Sequence, residues 1–299
     1  MRVVILGSAA GGGVPQWNCA CPHCRAARAG AARTQSTIAV SADDAHWVLL
    51  NASPDLRVQL AGCRRLWPTA LRSSPVRAVV LTDAELDHTL GLLGLREAGD
   101  PMPVYAPPGV LALLTDEWPV LSILATYRGA AARPLVPDVA VGLTDRAGSP
   151  LGLSCTAIAL ARRPPRYARR GTVDTDTVGV RIEDARGAVL AYVPAAEAVD
   201  EQVRRLTRGA DLVCFDGTFW SDDELGRTRS GAPTAREMGH VPLGGPTGSL
   251  ETLSQLGIIR AVLVHVNNTN PILDPRSSER RAVDAAGVTV AEDGMEFEL

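Results

Sequence analysis

Val76-Arg77-Ala78-Val79-Val80-Leu81-Thr82-Asp83-Ala84-Glu85-Leu86-Asp87-His88 is the stretch from which the fold class follows. A short apolar run leads straight into four titratable side chains, and leucines follow at 90, 92, 93 and 95, so His88 to Ala98 reads as a buried helix. A strand that ends in polar groups just ahead of a helix is the α/β layout, in which binding groups collect at strand ends. The plain alternative is a solvated turn whose acidic residues favour a helix start, with His88 as a cap.

The same texture extends in both directions. Arg2 to Leu6 and Trp47 to Asn51 read as strands. Ser53-Pro54-Asp55 offers a capping hydroxyl, a first-turn proline and a dipole-matched carboxylate, which predicts a helix from there through Leu60. Val178–Ile182 and Val189–Val193 flank Asp184-Ala185-Arg186-Gly187 as a hairpin, and Leu212 to Phe215 adds a strand. Thr247 to Leu256 reads as a helix closed by Gly257, and Ala261 to Val266 as a central strand, apolar on both faces. Val288 to Leu299 reads as a last hairpin turning at Asp293-Gly294. Together these predict one α/β domain over 1–299, a four-layer αββα sandwich with halves at roughly 1–175 and 176–299. A doubly wound sheet is the alternative that periodicity leaves open.

With 299 residues, 46% of them hydrophobic, the chain can bury a large core, which excludes disorder as the dominant state. A net charge of −3 provides no field for nonspecific nucleic-acid binding. Charged residues, glycine or proline interrupt every apolar run before the roughly 20 residues of a membrane span, and Val3 to Leu6 is too short for a signal peptide. A cytoplasmic protein is expected.

Six cysteines are too few for a disulfide scaffold in so long a chain, yet Cys19, Cys21 and Cys24 crowd into one loop. Three soft ligands at that spacing predict a structural Zn²⁺, with a fourth ligand from elsewhere because His23 lies awkwardly between two of them. Incidental reduced thiols are the bland alternative. Gly7-Ser8-Ala9-Ala10-Gly11-Gly12-Gly13 lacks the Lys-Ser/Thr pair of a phosphate loop and has Gln16 where a dinucleotide fingerprint needs glycine. It reads instead as backbone that must pass close to something, and a metal centre is the expected neighbour.

Asp83, Glu85, Asp87 and His88 form the second constellation, and His265 and His240 sit at comparable positions. Taken alone, His265 would more often be a core histidine, and the following Asn267-Asn268-Thr269-Asn270-Pro271 is ordinary turn chemistry. His46 is expected at the surface. Arg162-Arg163-Pro164-Pro165-Arg166-Tyr167-Ala168-Arg169-Arg170 reads as a loop, and a solvated basic segment is its simplest interpretation.

At these residues the chain resembles the metallo-β-lactamase superfamily, whose His-x-His-x-Asp-His motif aligns on Asp83, Glu85, Asp87 and His88. Both leading histidines are carboxylates here, Phe219 stands at a later ligand position, and no histidine lies between His88 and His240. A two-zinc hydrolase centre is therefore not expected. Within the superfamily the chain is similar to the B proteins of pyrroloquinoline quinone (PQQ) biosynthesis. The likeness rests on Leu6 to Cys19, Asn51 to Asp55, Leu81 to His88, Met238-Gly239-His240 and His265 to Leu273.

The resemblance implies an αββα sandwich, a structural zinc on Cys19, Cys21 and Cys24, and work on a peptide-derived PQQ precursor. Related phosphodiesterases imply Asn268 as the fourth zinc ligand. It leaves two main readings: an Fe²⁺-dependent hydroxylase of the tyrosine ring in a Glu-Tyr precursor, or a carrier that moves PQQ or its precursor. A metal-dependent hydrolase is the third. His88 and His265 with a carboxylate from Asp83 or Asp87 make the two-histidine, one-carboxylate set that suits Fe²⁺. His240 is then a further ligand or proton shuttle, and Glu85 orients a ligand. The arginines at 162, 163, 166, 169 and 170 form a flexible lid for a polycarboxylate, and Trp17 and Tyr167 are candidates to stack on an aromatic ring. No nucleic-acid partner or membrane insertion is expected, and a homodimer and other PQQ-pathway proteins are the partners left open.

Overall fold

Successive residues of a strand point to opposite faces, and here both faces are apolar. In the computed structural model, which describes residues 1–127, 129–173, 175–228 and 230–299, each sheet therefore separates two cores. The first strands are β1 (Arg2–Gly7), β2 (Thr37–Ser41), β3 (Trp47–Leu50), β4 (Val76–Val80), β5 (Met102–Ala106) and β6 (Ala130–Pro134). There follow β7 (Ala140–Thr144), β8 (Pro150–Ala159), β9 (Val178–Asp184), β10 (Val189–Val193), β11 (Leu212–Asp216), β12 (Ala261–Val264), β13 (Val288–Val290) and β14 (Glu296–Glu298).

One sheet runs β14-β1-β2-β3-β4-β5-β6 and the other β13-β12-β11-β10-β9-β8-β7. Val3, Ile5, Ile38, Val40, Val48 and Leu50 of the first sheet meet Val180, Ile182, Leu190, Leu212 and Val262 of the second in a shared central core. Their neighbours Val4, Ala39, Leu49 and Val79 face an outer core built with helices such as Leu56–Gly62. On the far side, Ala191, Val213, Phe215 and Leu263 do the same with Glu201–Thr207 and Ser249–Gln255. The αββα sandwich expected from the sequence is thus the observed architecture, and no helix among the described residues is long and apolar enough to cross a membrane.

Several local expectations are corrected. The helix after Ser53 begins only at Leu56, because the Asp55 carboxylate turns away to accept from the Gln35 amide and side chain at 2.9 and 3.0 Å. His88 to Ala98 is not one buried helix. A single α-turn, Leu86–Thr89, tightens into the 3₁₀ segment Leu90–Glu97, where Leu92 alone of the four leucines is fully buried. Gly91 lies so close to Ser53 that a side-chain carbon there would meet its carbonyl at 2.2 Å, which holds this segment against the strand ends.

Val288 to Leu299 is not a hairpin. β13 pairs in parallel with β12, whereas β14 pairs antiparallel with β1 in the other sheet. Asp293 makes the crossing stable by accepting from both the amide and hydroxyl of Ser8 and of Thr34. The chain also changes sheets between Pro134 and Ala140, ahead of the division expected near residue 175.

Candidate metal centre and cleft

Strand ends from both sheets converge on one cleft of about 820 Å³. β4 delivers Asp83 to His88, β11 delivers Asp216 and Thr218, and β12 delivers His265. β12 stops two residues earlier than expected because His265 adopts φ 57°, a left-handed conformation that costs a side-chain-bearing residue roughly 1–3 kcal/mol. The kink seats the ring 5.1 Å, centroid to centroid, from His88 and 5.3 Å from His240.

The potential ligand atoms of Asp87, His88 and His265 all lie within 4.8 Å of one another. Nδ1 of His88 donates to Asp83 at 2.8 Å, which leaves Nε2 buried and, among the described residues, without a hydrogen-bond partner, 3.9 Å from Asp87 Oδ2. Nε2 of His265 faces the same oxygen at 3.1 Å. An orphaned imidazole nitrogen beside a second nitrogen and a carboxylate oxygen is a donor set that fits a divalent cation. Burial opposes ionisation of Asp87, but the neighbouring His88 holds its carboxyl far below the usual range. Burial likewise lowers the affinity of His88 for a proton, yet Asp83 and Asp87 prevail and raise its pKa to about 9.

Asp83, expected among the ligands, lies behind them. It is fully buried, its oxygens accept from His88, the Thr82 hydroxyl and the Glu85 amide, and it is not among the residues that line the cleft. Glu85, expected to orient a ligand, instead faces the Arg162 guanidinium at 3.7 Å, and burial raises its pKa. Asp83 thus takes the orienting place expected of Glu85, while Glu85 pairs with Arg162.

His240 lies beside His265 with Nδ1 2.8 Å from Asp216 Oδ2. Burial pushes the His240 pKa down, with help from Arg162 and His265 and against the pull of Asp216. Asp216, His240 and His265 are also close enough to suggest a cation site, but Asp216 already accepts from Ala196 N, Thr218 N, the Thr218 hydroxyl and His240. Those protons join the three groups without a metal. Sequence reasoning missed Asp216 and Thr218, although Asp-Gly-Thr directly after an apolar strand repeats the pattern of Thr82-Asp83 after β4.

The arginine segment is a loop, but a tethered one. The Arg162 side chain is 6% exposed, 4.0 Å from Asp83, and its Nη1 has no hydrogen-bond partner among the described residues. Gly239, at φ 80°, leaves it room, since a side-chain carbon there would come within 2.6 Å of Arg162 Nε. Arg170 pairs with Asp176, and Tyr167 donates to the Ala84 carbonyl at 2.6 Å. Arg163 and Arg166 line the cleft. Trp17 is 85% exposed and His46 pairs with Asp43 near the surface. The glycine-rich loop does pass close to the centre, because a side-chain carbon at Gly11 would lie 3.0 Å from Asp87 Oδ2.

Cys19, Cys21 and Cys24 form a separate group of candidate ligands. The Asn268 side chain, three residues past His265, reaches all of them, with Nδ2 at 3.2, 3.8 and 3.3 Å from the sulfurs. A half-turn of that amide would present Oδ1 to the same point. His23 points elsewhere, its Nδ1 3.0 Å from the Asn268 carbonyl.

The beta-lactamase superfamily domain matches residues 46–266. Coenzyme PQQ synthesis protein B of Methylorubrum extorquens is 43% identical over 100% of both chains, and that of Azoarcus sp. is 44% identical over the same share. The crystal structure of Zn²⁺-bound PqqB from Methylobacterium extorquens superposes with a TM-score of 0.88 at 43% identity, covering both chains completely. A diphosphatase of the PhnP family shares the fold at TM-score 0.71 and 20% identity, covering 100% of this chain and 98% of its own. The chain therefore belongs to the coenzyme PQQ synthesis protein B family of the metallo-β-lactamase superfamily, a family of PQQ biosynthesis proteins.

Proposed function

We propose that the protein is an Fe²⁺-dependent oxygenase that hydroxylates the tyrosine ring of a Glu-Tyr-derived PQQ precursor. The observation that carries this reading is the unpartnered Nε2 of His88, set beside His265 and Asp87 at the wall of the cleft. Two imidazoles and one carboxylate would hold the ion and leave positions open, and Fe²⁺ in such a set supplies oxygen activation. In the net reaction, one atom of O₂ enters the ring and the other leaves as water, with two electrons from an external reductant.

The chain's own residues bind and orient. Asp83 fixes His88 through Nδ1, so that Nε2 is the nitrogen offered. His240, held by Asp216 through Nδ1, lends its other nitrogen to the cleft it lines and accepts the phenolic proton there. Arg162, with a free Nη1, and Arg163 and Arg166 on the wall receive the precursor's carboxylates. Cys19, Cys21 and Cys24, with Asn268, hold a structural Zn²⁺ that fixes the loop after β1.

Oxygen uptake tests the proposal. Protein loaded with Fe²⁺ and supplied with ascorbate should consume O₂ and form a hydroxylated product from a Glu-Tyr dipeptide, and His88→Ala should abolish both. No turnover together with tight PQQ binding would establish a carrier instead. Cleavage of an ester or phosphodiester with Zn²⁺ or Mn²⁺ in the absence of oxygen would establish a hydrolase.

A further inference from the structure

The hydroxyl of Thr218 stands at the centre of a proton-counting problem. It has one hydrogen and three neighbours: Asp216 Oδ1 at 2.6 Å, His265 Nδ1 at 2.8 Å and His240 Nδ1 at 3.1 Å. All four residues are buried. The shortest contact is to a carboxylate, which can only accept, and a bare oxygen pair at that distance would repel. The Thr218 proton therefore lies on the bond to Asp216, His240 gives its Nδ1 proton to Asp216 Oδ2 at 2.8 Å, and the Thr218 oxygen is left to accept from His265.

Two consequences follow for His265. With the Thr218 proton given to Asp216, the 2.8 Å contact to the Thr218 oxygen requires the ring proton on His265 Nδ1. Its Nε2 then presents a lone pair toward Asp87 Oδ2 at 3.1 Å, an arrangement of two electron pairs that calls for a cation between them. Asp83 does the same for His88 by direct contact, whereas Nδ1 of His265 reaches its carboxylate, Asp216, through the hydroxyl.

We infer that Thr218 is a positioning residue that fixes His265 as the Nδ1-protonated tautomer and thereby hands Nε2 to a divalent cation. The second half of this statement rests on the metal reading proposed above, and the first half does not. A valine of nearly the same shape cannot accept the Nδ1 proton, and a serine can.

The test uses the full-length protein with zinc already in the thiolate loop, titrated with Co²⁺ and followed by its visible absorption. Thr218→Val should bind Co²⁺ about 10- to 100-fold more weakly than wild type, and Thr218→Ser should restore most of the affinity. In metal-free protein, ¹⁵N NMR of the labelled histidines should find the proton of His265 on Nδ1 in the wild type and in Thr218→Ser, but redistributed toward Nε2 in Thr218→Val. Undiminished Co²⁺ affinity in a folded Thr218→Val, or a wild-type His265 whose Nδ1 bears no proton, overturns the inference. If the wild type binds no Co²⁺ at this site while the NMR pattern is as described, the tautomer assignment stands and the metal reading alone falls.

Discussion

His88 and His265 come from different sheets, yet their rings meet edge to face with centroids 5.1 Å apart and an interplanar angle of 72°. That approach is what turns two strand ends into a single donor set with Asp87. If the set holds an exchangeable ion and the thiolates hold a zinc, His265→Ala should remove the first while the second stays. Element analysis should then fall from two metals per chain to one. Two metals retained in a folded variant would show that the imidazoles do not coordinate.

Asp83→Asn tests the partner behind His88. The amide keeps the shape but lowers the basicity of the imidazole it orients, and it leaves Arg162, at 4.0 Å, with less compensating charge. Metal affinity at the cleft should drop by about 10- to 100-fold, because carboxylates that orient ligating histidines have effects of that size. Calorimetric titration of the metal-free protein would show it, and unchanged binding would mean that Asp83 serves folding alone.

Much of this was legible from residue patterns because the physics is local. The short apolar runs of β1, β3, β4 and β9 to β12 need no partner to be read, and the carboxylates after β4 announce a strand-end site. What escaped depends on contacts between distant segments. Asp83 and Glu85 differ by two positions, and only the placement of the Arg162 guanidinium beside Glu85 and of the His88 ring beside Asp83 separates their environments. Arg162 itself was submerged in a run of arginines, of which the fold buries this one beside two carboxylates. Asp293-Gly294 has the composition of a hairpin turn, and nothing local reveals that Ser8 and Thr34 capture the aspartate and send the chain to the other sheet.

Cys24→Ala should disturb more than its own loop. Cys24 is fully buried, and Asn268, which bridges the three sulfurs, continues the same backbone as His265. Val266 ties that backbone to Ser8 and Ala10 by main-chain hydrogen bonds. Losing a metal that binds only the folded state lowers stability directly. The expected result is loss of one zinc, a fall in Tm of at least about 4 °C, and weaker metal binding at the cleft. A variant that lost its zinc but melted like the wild type would show that the loop orders without a metal.

Glu224 supplies a pH signature outside the metal centre. Its carboxylate accepts from the Thr269 hydroxyl and the Trp220 amide, but burial outweighs these bonds and raises the pKa from 4.5 to about 7. Between those values the folded chain holds a proton that the unfolded chain has released, so stability must fall as pH rises from 4.5 to 7 and then level off. The contribution lost is about 3 kcal/mol, since each pH unit between the unfolded and folded values is worth roughly 1.4 kcal/mol. Urea unfolding across this range should show that slope in the wild type and a shallower one in Glu224→Gln, which has no proton to release. Equal slopes in the two proteins would place the titration on another group and leave Glu224 charged in the fold.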